Sequence, residues 1–585
     1  MDEIIKKIKM IFKKLALLRK QLVNHNLDGY IVPKNDEFFG EYVKEGNNRL
    51  KYISGFTGSA GFSVILRKKA YLFVDGRYTI QANIESGKIF TIVEIHKKKP
   101  NFILTKFSKE LKLGFDPKIF NETSLLYNFK SSKIKLVQIN KNLIDVIWNN
   151  KPKINYKKFY ILNSKNVGQN YKDKIKLINN FLKRKKIKNL LITAPENIAW
   201  LLNIRGYDSN FSPIPNCQAI INYQKKIFLI VDKRKINKKF INYFNNSIRI
   251  INPNTVKTYL NSLSKHETFS IDKMTCSIFY KNEIKKKFRF YETIDPIYFL
   301  KAKKNNVEIN NMINSHKEDG VALTKFLYWL KSNVIKRNIS ELDAQSKLEQ
   351  FRKKNKNYIF SSFNTIAGTG PNGAIVHYRA TKKSNRIIKK KDIFLCDSGG
   401  QYKYGTTDVT RTVCFTKPEK KIKDIFTMVL KGHIGVATFN LNKNTTGNKI
   451  DKVARAPLKS KGKDYAHGTG HGVGHFLNVH EGPHSISKFN KVKFSEGMIV
   501  SNEPGYYKKN KFGIRIENLV YVKKLNNKIF FENLTLAPID KDLINFDLLT
   551  KKEFNYLNDY NKKIYQSLNP YLKKKEKNWL KSFIN

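Results

Sequence analysis

Apolar residues recur at helical spacing from the start of the chain: Ile4, Ile8, Ile11, Leu15, Leu18 and Leu22, with lysines between them. That period predicts an amphipathic helix whose apolar face docks on its own domain. Short apolar runs at 30–32 and 70–74 predict buried strands. After a polar join near 148–158 a similar order returns, with a helical stretch at 175–182 and strands at 190–193 and 227–231. Even a local ending repeats, Val74-Asp75-Gly76-Arg77 against Val231-Asp232-Lys233-Arg234, and Gly55 and Gly206 fall at corresponding places. The pattern predicts two related α/β domains, the second a divergent copy of the first. Near Leu300 a third segment begins. Val321, Leu323, Phe326, Leu327 and Leu330 form an apolar stripe on a helix predicted over 311–332. Beyond Tyr358, glycines, histidines and strand-like runs crowd together.

The 585 residues allow roughly three to four domains of about 150–200 residues. With 41% apolar and 12% aromatic residues, the chain can bury several cores, which excludes a disordered protein. Lys and Arg number 111 against 47 Asp and Glu, a formal charge of +64 that raises a polyanion partner. The lysines are spread along the whole chain rather than gathered into a patch, so the charge reads as surface composition and nucleic acid is not expected. No run of 18 apolar residues occurs, so no membrane span is expected, and Asp2 and Glu3 open an N-terminus unlike a signal peptide. The four cysteines, Cys217, Cys276, Cys396 and Cys414, form no C-x-x-C pair or disulfide framework, which suits a reducing compartment such as the cytoplasm.

Two motifs are decoys. Gly368-Thr369-Gly370-Pro371-Asn372-Gly373 fits G-x-G-x-x-G, but residues 374–378 after it read as β rather than as an opening helix. His480-Glu481-Gly482-Pro483-His484 fits H-E-x-x-H, yet Gly482 and Pro483 oppose the helix that such a zinc site needs. The positive signal is a set of acids at strand ends. A strand at 393–396 leads to Asp397, glycines at 399, 400 and 405 mark a turn, and a second strand runs from Val409 to Phe415, so a hairpin places Asp397 near Asp408. Two acids at one spot repel unless a cation or a shared proton lies between them. A strand at 498–501 leads to Glu503. In 512–522 the residues Phe512, Ile514 and Ile516 alternate with Gly513, Arg515 and Glu517, so Arg515 and Glu517 share a face. Between these hairpins, five of the 11 histidines lie from His467 to His484, interleaved with Gly468, Gly470, Gly472 and Gly474, which oppose a helix and permit close backbone approach.

These residues resemble the pita-bread metallopeptidases, and among them the aminopeptidase P (Xaa-Pro aminopeptidase) family of the cytosolic three-domain type. The resemblance runs through SGFTGSAG (54–61), VDGRY (74–78), KAKKNNVE (301–308), GPNGAIVHY (370–378), the aspartate hairpin, the histidine loop, EPGYY, GIRIEN and LTLAPID (534–540). It implies an α/β (α+β) chain: creatinase-like α/β domains at 1–154 and 155–299, a pita-bread catalytic domain at 300–533, and a C-terminal extension at 534–585. It implies five metal ligands at Asp397, Asp408, His471, Glu503 and Glu517, holding two divalent ions. Spacing alone leaves manganese, cobalt, iron and zinc open, and the resemblance implies manganese. Glu503 is then the expected base, with His377, His467 and His480 as catalytic histidines. His377, His480, Arg77 and Arg515 are the expected substrate-binding residues, Arg77 acting across a homodimer. His475 departs from the family pattern and reads as a tolerated neighbour rather than a ligand. The implied activity is release of an N-terminal residue from peptides with proline second. A prolidase-like dipeptidase and a non-catalytic pita-bread protein that binds nucleic acid are the rival readings.

Overall fold

In the computed structural model, which describes residues 2–107, 110–153, 156–245 and 247–584, the first apolar stripe becomes the helix Asp2–Asn24. Ile11, Leu15, Leu18 and Leu22 are at most 3% exposed and pack with Tyr30, Leu50, Ile65 and Leu72. Each buried leucine stabilises the docking by roughly 1.5–3 kcal/mol. The side chain of Ile4 and the domain boundary expected at 154/155 lie outside the described residues.

The chain divides into two compact units. One comprises 1–162, 170–210 and 214–297, and the other 163–169, 211–213 and 298–585. The first unit carries two six-stranded sheets. Their strand orders are Thr91–Glu94, Ala70–Val74, Gly61–Leu66, Gly29–Pro33, Leu111–Phe115, Ile134–Gln138, and Ile248–Ile251, Ile227–Ile230, Gln218–Asn222, Asn189–Ile192, Thr268–Asp272, Arg289–Thr293. In each sheet only the third strand is antiparallel to its neighbours. The repeated endings do the same work. Asp75 and Asp232 each accept from a backbone N–H two residues on, and pair with Arg77 (2.8 Å) and Arg234 (2.7 Å). The two glycines do not correspond. Gly55 closes the helix Arg49–Ser54 in the left-handed region, whereas the helix Pro195–Leu201 ends on Leu202 and Gly206 abuts Pro215.

The second unit opens on the long helix Asn306–Val334, started by a capping box between Asn305 and Glu308. Leu323, Phe326, Leu327 and Leu330 are buried on it as the stripe requires. Four sheets follow among the described residues, one of them made of Tyr358–Ser361, Gly400–Tyr402 and Gly405–Thr406. Ile366–Thr369, Phe394–Ser398 and Val409–Val413 form another; Gly505–Lys508 pairs with Phe512–Arg515; and a five-stranded sheet runs Glu481–Ile486, Gly470–Gly472, Ile499–Asn502, Asn518–Leu525, Lys528–Asn533. Asp397 lies within its strand rather than after it, opposite Thr410. The segment 374–378, expected as β, is the end of a short 3-10 turn and an irregular stretch. No helix among the described residues is long and apolar enough to cross a membrane.

One buried charge cluster ties the start of this unit to its histidine-rich strands. Glu481 accepts from Lys301 Nζ (2.9 Å) and Lys304 Nζ (2.5 Å), all three side chains being out of solvent. Burial works against the charge of Glu481, but the two ammonium groups outweigh it and hold the carboxyl down at about 2. A folded-state value below the unfolded one means that this stabilisation is complete above pH about 4.5 and is lost as pH falls toward 2. Glu481→Gln leaves two buried lysines uncompensated. It is expected to lower unfolding free energy at pH 7 by about 3–5 kcal/mol in denaturant titrations and to flatten the acid limb of stability below pH about 4.5. Wild-type stability in the variant would show that the cluster carries no net weight.

Candidate active site

Asp397, Asp408, His471, Glu503 and Glu517 come from five separate chain positions and converge in the second unit. Ligand-capable atoms of Asp408, His471 and Glu517 lie within 4.8 Å of one another. His471 Nε2 stands 3.5 Å from Asp408 Oδ2 and 3.4 Å from Glu503 Oε1. Glycine makes this convergence sterically feasible. A Cβ at Gly470 would fall 1.8 Å from the Ser501 carbonyl oxygen, and one at Gly472 2.3 Å from that of Glu481, so the strand carrying His471 fits between its partners only with glycine on both sides. In the same way Gly513 leaves room for the Gly373 carbonyl, which seats the turn leading to His377 against the strand Phe512–Arg515.

Neutral side chains orient the acids. The Thr410 hydroxyl donates to Glu517 Oε2 (2.7 Å) and accepts from Arg515 Nε (3.1 Å). The Ser501 hydroxyl donates to Glu503 Oε1 (3.1 Å) and accepts from the His471 N–H (2.9 Å). Arg515 is 2% exposed, and its guanidinium also reaches Asp397 Oδ2 (2.6 Å) and the Tyr507 hydroxyl (2.6 Å). That hydroxyl in turn meets His467 Nε2 at 2.8 Å. His467 Nδ1 faces the Gly468 carbonyl at 2.7 Å, so Nδ1 carries the proton and Nε2 accepts from Tyr507. Arg515, expected as a substrate contact, gives three of its five N–H donors to Asp397, Thr410 and Tyr507. His480 stacks edge-on to His471 with ring centroids 4.3 Å apart. His475 lies instead beside Glu308 (3.7 Å) and Asn311 (3.4 Å) on the long helix. Arg77 belongs to the other compact unit, paired with Asp75. Thr410, Ser501 and Tyr507 escaped the sequence reading; the only signal for them was adjacency to a candidate ligand in DVTRT, SNEP and EPGYY.

The electrostatics favour a cation here. Burial, then Asp408, Glu503 and Asp397, push the Glu517 carboxyl well above its ordinary range. Burial raises Asp397 to about 6 against the pull of Arg515. Burial opposes a charge on His471, but Asp408 and Glu503 raise it to about 9. Four carboxylates this close cannot all ionise unaided. His471 Nδ1 meets the Gly472 carbonyl (3.0 Å), so in the neutral ring the Nε2 lone pair points at two carboxylate oxygens. Asp397 Oδ1 is buried without a hydrogen-bond partner. A cation resolves all three anomalies, and a donor set of carboxylate oxygens with one imidazole suits hard to borderline divalent ions. A second acidic group, Cys414, Asp540 and Asp542, makes the contrast. There Lys331 Nζ sits 2.8 Å from Asp540 and 3.1 Å from Asp542, and supplies the positive charge itself.

Comparisons with known proteins cover nearly the whole chain. Two creatinase/prolidase N-terminal domain profiles match residues 14–141 and 150–308, metallopeptidase family M24 matches 310–524, and the C-terminal region of that peptidase family matches 528–583. A probable Xaa-Pro aminopeptidase P of Coprinopsis cinerea is 36% identical, the alignment covering 97% of each chain. Xaa-Pro aminopeptidase 1 of Dictyostelium discoideum is 37% identical over 98% of this chain and 96% of its own. Among solved structures, the X-prolyl aminopeptidase of Caenorhabditis elegans, described as a cytosolic enzyme with a di-nuclear active site, superposes with TM-score 0.91 at 29% identity, covering 98% of this chain and 99% of that one. The prolidase of Thermococcus sibiricus covers only 63% of this chain, with TM-score 0.52 at 26% identity. Sharing over a third of its residues with the Coprinopsis and Dictyostelium relatives across nearly its whole length, the chain belongs to metallopeptidase family M24, in its Xaa-Pro aminopeptidase P branch.

Proposed function

We propose that the protein is a metal-dependent aminopeptidase that hydrolyses the bond between an N-terminal residue and a following proline. The observation that carries the reading is the five-residue cluster itself: Asp397, Asp408, His471, Glu503 and Glu517, with an excess of buried negative charge that divalent ions would balance. End-to-end similarity to Xaa-Pro aminopeptidases favours this over a prolidase-like dipeptidase, and a complete ligand set counts against a non-catalytic relative. In the same proposal manganese fills the two sites, the active form is a homodimer, and the enzyme is cytoplasmic, which its four buried free cysteines suit. The segments 1–154, 155–299, 300–533 and 534–585 remain the domain division proposed.

Those five residues would hold the ions, which when bound lower the pKa of water and polarise the scissile carbonyl. Glu503, at the end of the strand Ile499–Asn502 with Ser501 holding one oxygen, is the acceptor for the proton of the attacking water. His471 and Arg515 outweigh burial and keep its carboxyl below the ordinary range. His467 is fixed by Tyr507, which Arg515 fixes in turn, so that its ring is oriented without cost at the moment of reaction. Burial holds His467 down at about 4, so it acts as a neutral ring near pH 7. In the same proposal His377 and His480 contact the substrate, and Arg77 is a contact supplied by the partner subunit. Proline at the second position removes the amide N–H that general peptidases grip and restricts the residue before it, which rewards a dedicated pocket.

Manganese-loaded protein is expected to cleave a peptide beginning Arg-Pro-Pro and to spare its Arg-Ala analogue. It should also prefer the longer peptide to an Xaa-Pro dipeptide; faster dipeptide hydrolysis would move the assignment to prolidase, and no cleavage with metal-filled sites would end it. Asp408→Ala should lose at least one bound ion by elemental analysis and at least about 100-fold in kcat/KM, beyond the 10–100-fold typical of an indirect partner. Retained activity would remove Asp408 from the ligand set.

A further inference from the structure

Arg411 lies three residues after Asp408 on the strand Val409–Val413, and it is 1% exposed. Its guanidinium contacts no carboxylate. Nε donates to the Pro538 carbonyl (3.0 Å). Nη1 donates to the carbonyls of Thr410 (2.8 Å) and Glu517 (2.6 Å). Nη2 serves Asn518 Oδ1 (2.8 Å), the Ala537 carbonyl (2.7 Å) and the Tyr560 hydroxyl (3.0 Å). All five N–H donors of the side chain are thereby used, and every partner is neutral. A buried cation held only by neutral oxygens is costly unless its place is needed.

The partners show what that place does. Nη1 pins together the backbone of Thr410, whose hydroxyl holds the Glu517 carboxylate, and the backbone of Glu517 itself. The Glu517 N–H also donates to the Thr410 carbonyl (3.2 Å). The other face of the guanidinium grips the stretch 537–538 and Tyr560 of the helix Lys551–Leu568. Tyr560 closes the ring through Asn518 Oδ1 (3.3 Å) and the carbonyls of Thr535 and Ala537 (3.1 Å each). The stretches bearing Asp408 and Glu517, each just before a strand, are therefore joined to each other and to the C-terminal segment through one planar group.

We infer that Arg411 is a positioning residue for the metal centre: by clamping the backbones of Thr410 and Glu517 to the C-terminal segment at 535–538 and to Tyr560, it sets the spacing between Asp408 and Glu517. The C-terminal segment thereby becomes part of the frame of the centre, although it contributes no ligand. This rests on the metal-site reading above. Lysine cannot replace Arg411, because three donors on a flexible stem cannot satisfy the six acceptors around the guanidinium.

The test is titration of metal-free protein with Mn2+ followed by calorimetry. Arg411→Lys should bind at least about tenfold more weakly than wild type, in the range seen when an indirect partner of a metal ligand is removed. Tyr560→Phe, which keeps the ring and loses only the hydroxyl, should weaken binding in the same direction by about threefold, and it decides the matter alone if Arg411→Lys does not fold. For both variants, peptidase kcat at limiting Mn2+ should fall and recover in excess Mn2+ with KM unchanged. Leu568→Ala, a cavity in the same C-terminal packing, should keep wild-type Mn2+ affinity despite a lower thermal midpoint. Wild-type affinity in Arg411→Lys, or equal loss in Leu568→Ala, overturns the inference. Absence of Mn2+ binding by the wild type overturns the metal-site reading and this one together, whereas wild-type binding with an unaltered variant overturns this one alone.

Discussion

Mutual repulsion among four buried carboxylates is the constraint on which the second unit is built. A chain with 111 basic and 47 acidic residues puts Asp397, Asp408, Glu503 and Glu517 into one pocket, where burial and proximity each penalise the charged forms. Three devices limit the penalty without abolishing it. Arg515 neutralises one oxygen of Asp397, the hydroxyls of Thr410 and Ser501 donate to the two glutamates, and the imidazole of His471 faces Asp408 and Glu503. What is left over, including an unpartnered Asp397 oxygen, is the driving force for binding divalent ions. The same chain shows that it can settle an acidic group internally: Lys331 does so for Asp540 and Asp542, and Lys301 and Lys304 are themselves settled by Glu481. The candidate centre is the place where that internal settlement is withheld.

Holding repelling groups together requires a stiff frame, and the frame is made of backbone. Gly470 and Gly513 let strands approach to distances that any Cβ would prevent. Arg411 and Tyr560 then tie the backbone beside Asp408 and at Glu517 to the C-terminal segment. Side chains that touch no ligand atom thus share in the geometry of the ligands, as outer partners do in metal sites generally. The basic excess that dominates the composition has little part in this. Across 391–520 there are 22 basic and 11 acidic residues, and four of those acids are the candidate ligands.

Much of this was legible in the chain. Helical spacing at Ile11, Leu15, Leu18 and Leu22 and at Leu323, Phe326, Leu327 and Leu330 marked faces that are buried, because a 3.6-residue period survives translation into a helix whatever the helix packs on. The repeat at 74–77 and 231–234 marked two sheets of identical strand order, since an aspartate that caps a turn is a local signal. The alternation at 512–517 put Ile514 and Ile516 in the core and Arg515 with Glu517 on the other face, although the strand breaks between Arg515 and Asn518. The correspondence drawn between Gly55 and Gly206 failed, because a glycine signals backbone freedom without saying which use is made of it.

By itself, then, the sequence determined which residue types were available for a metal centre and which faces would be buried, because both follow from local chemistry and period. Only the tertiary structure decided that Arg515 pairs with Asp397 and Tyr507, that Glu481 is the counter-ion of two buried lysines, and that Arg411 is bound to a segment more than a hundred residues away. Each of those assignments is a long-range hydrogen bond or ion pair. Its partner is chosen by where two strands or helices come to rest, and no pattern confined to neighbouring residues carries that information.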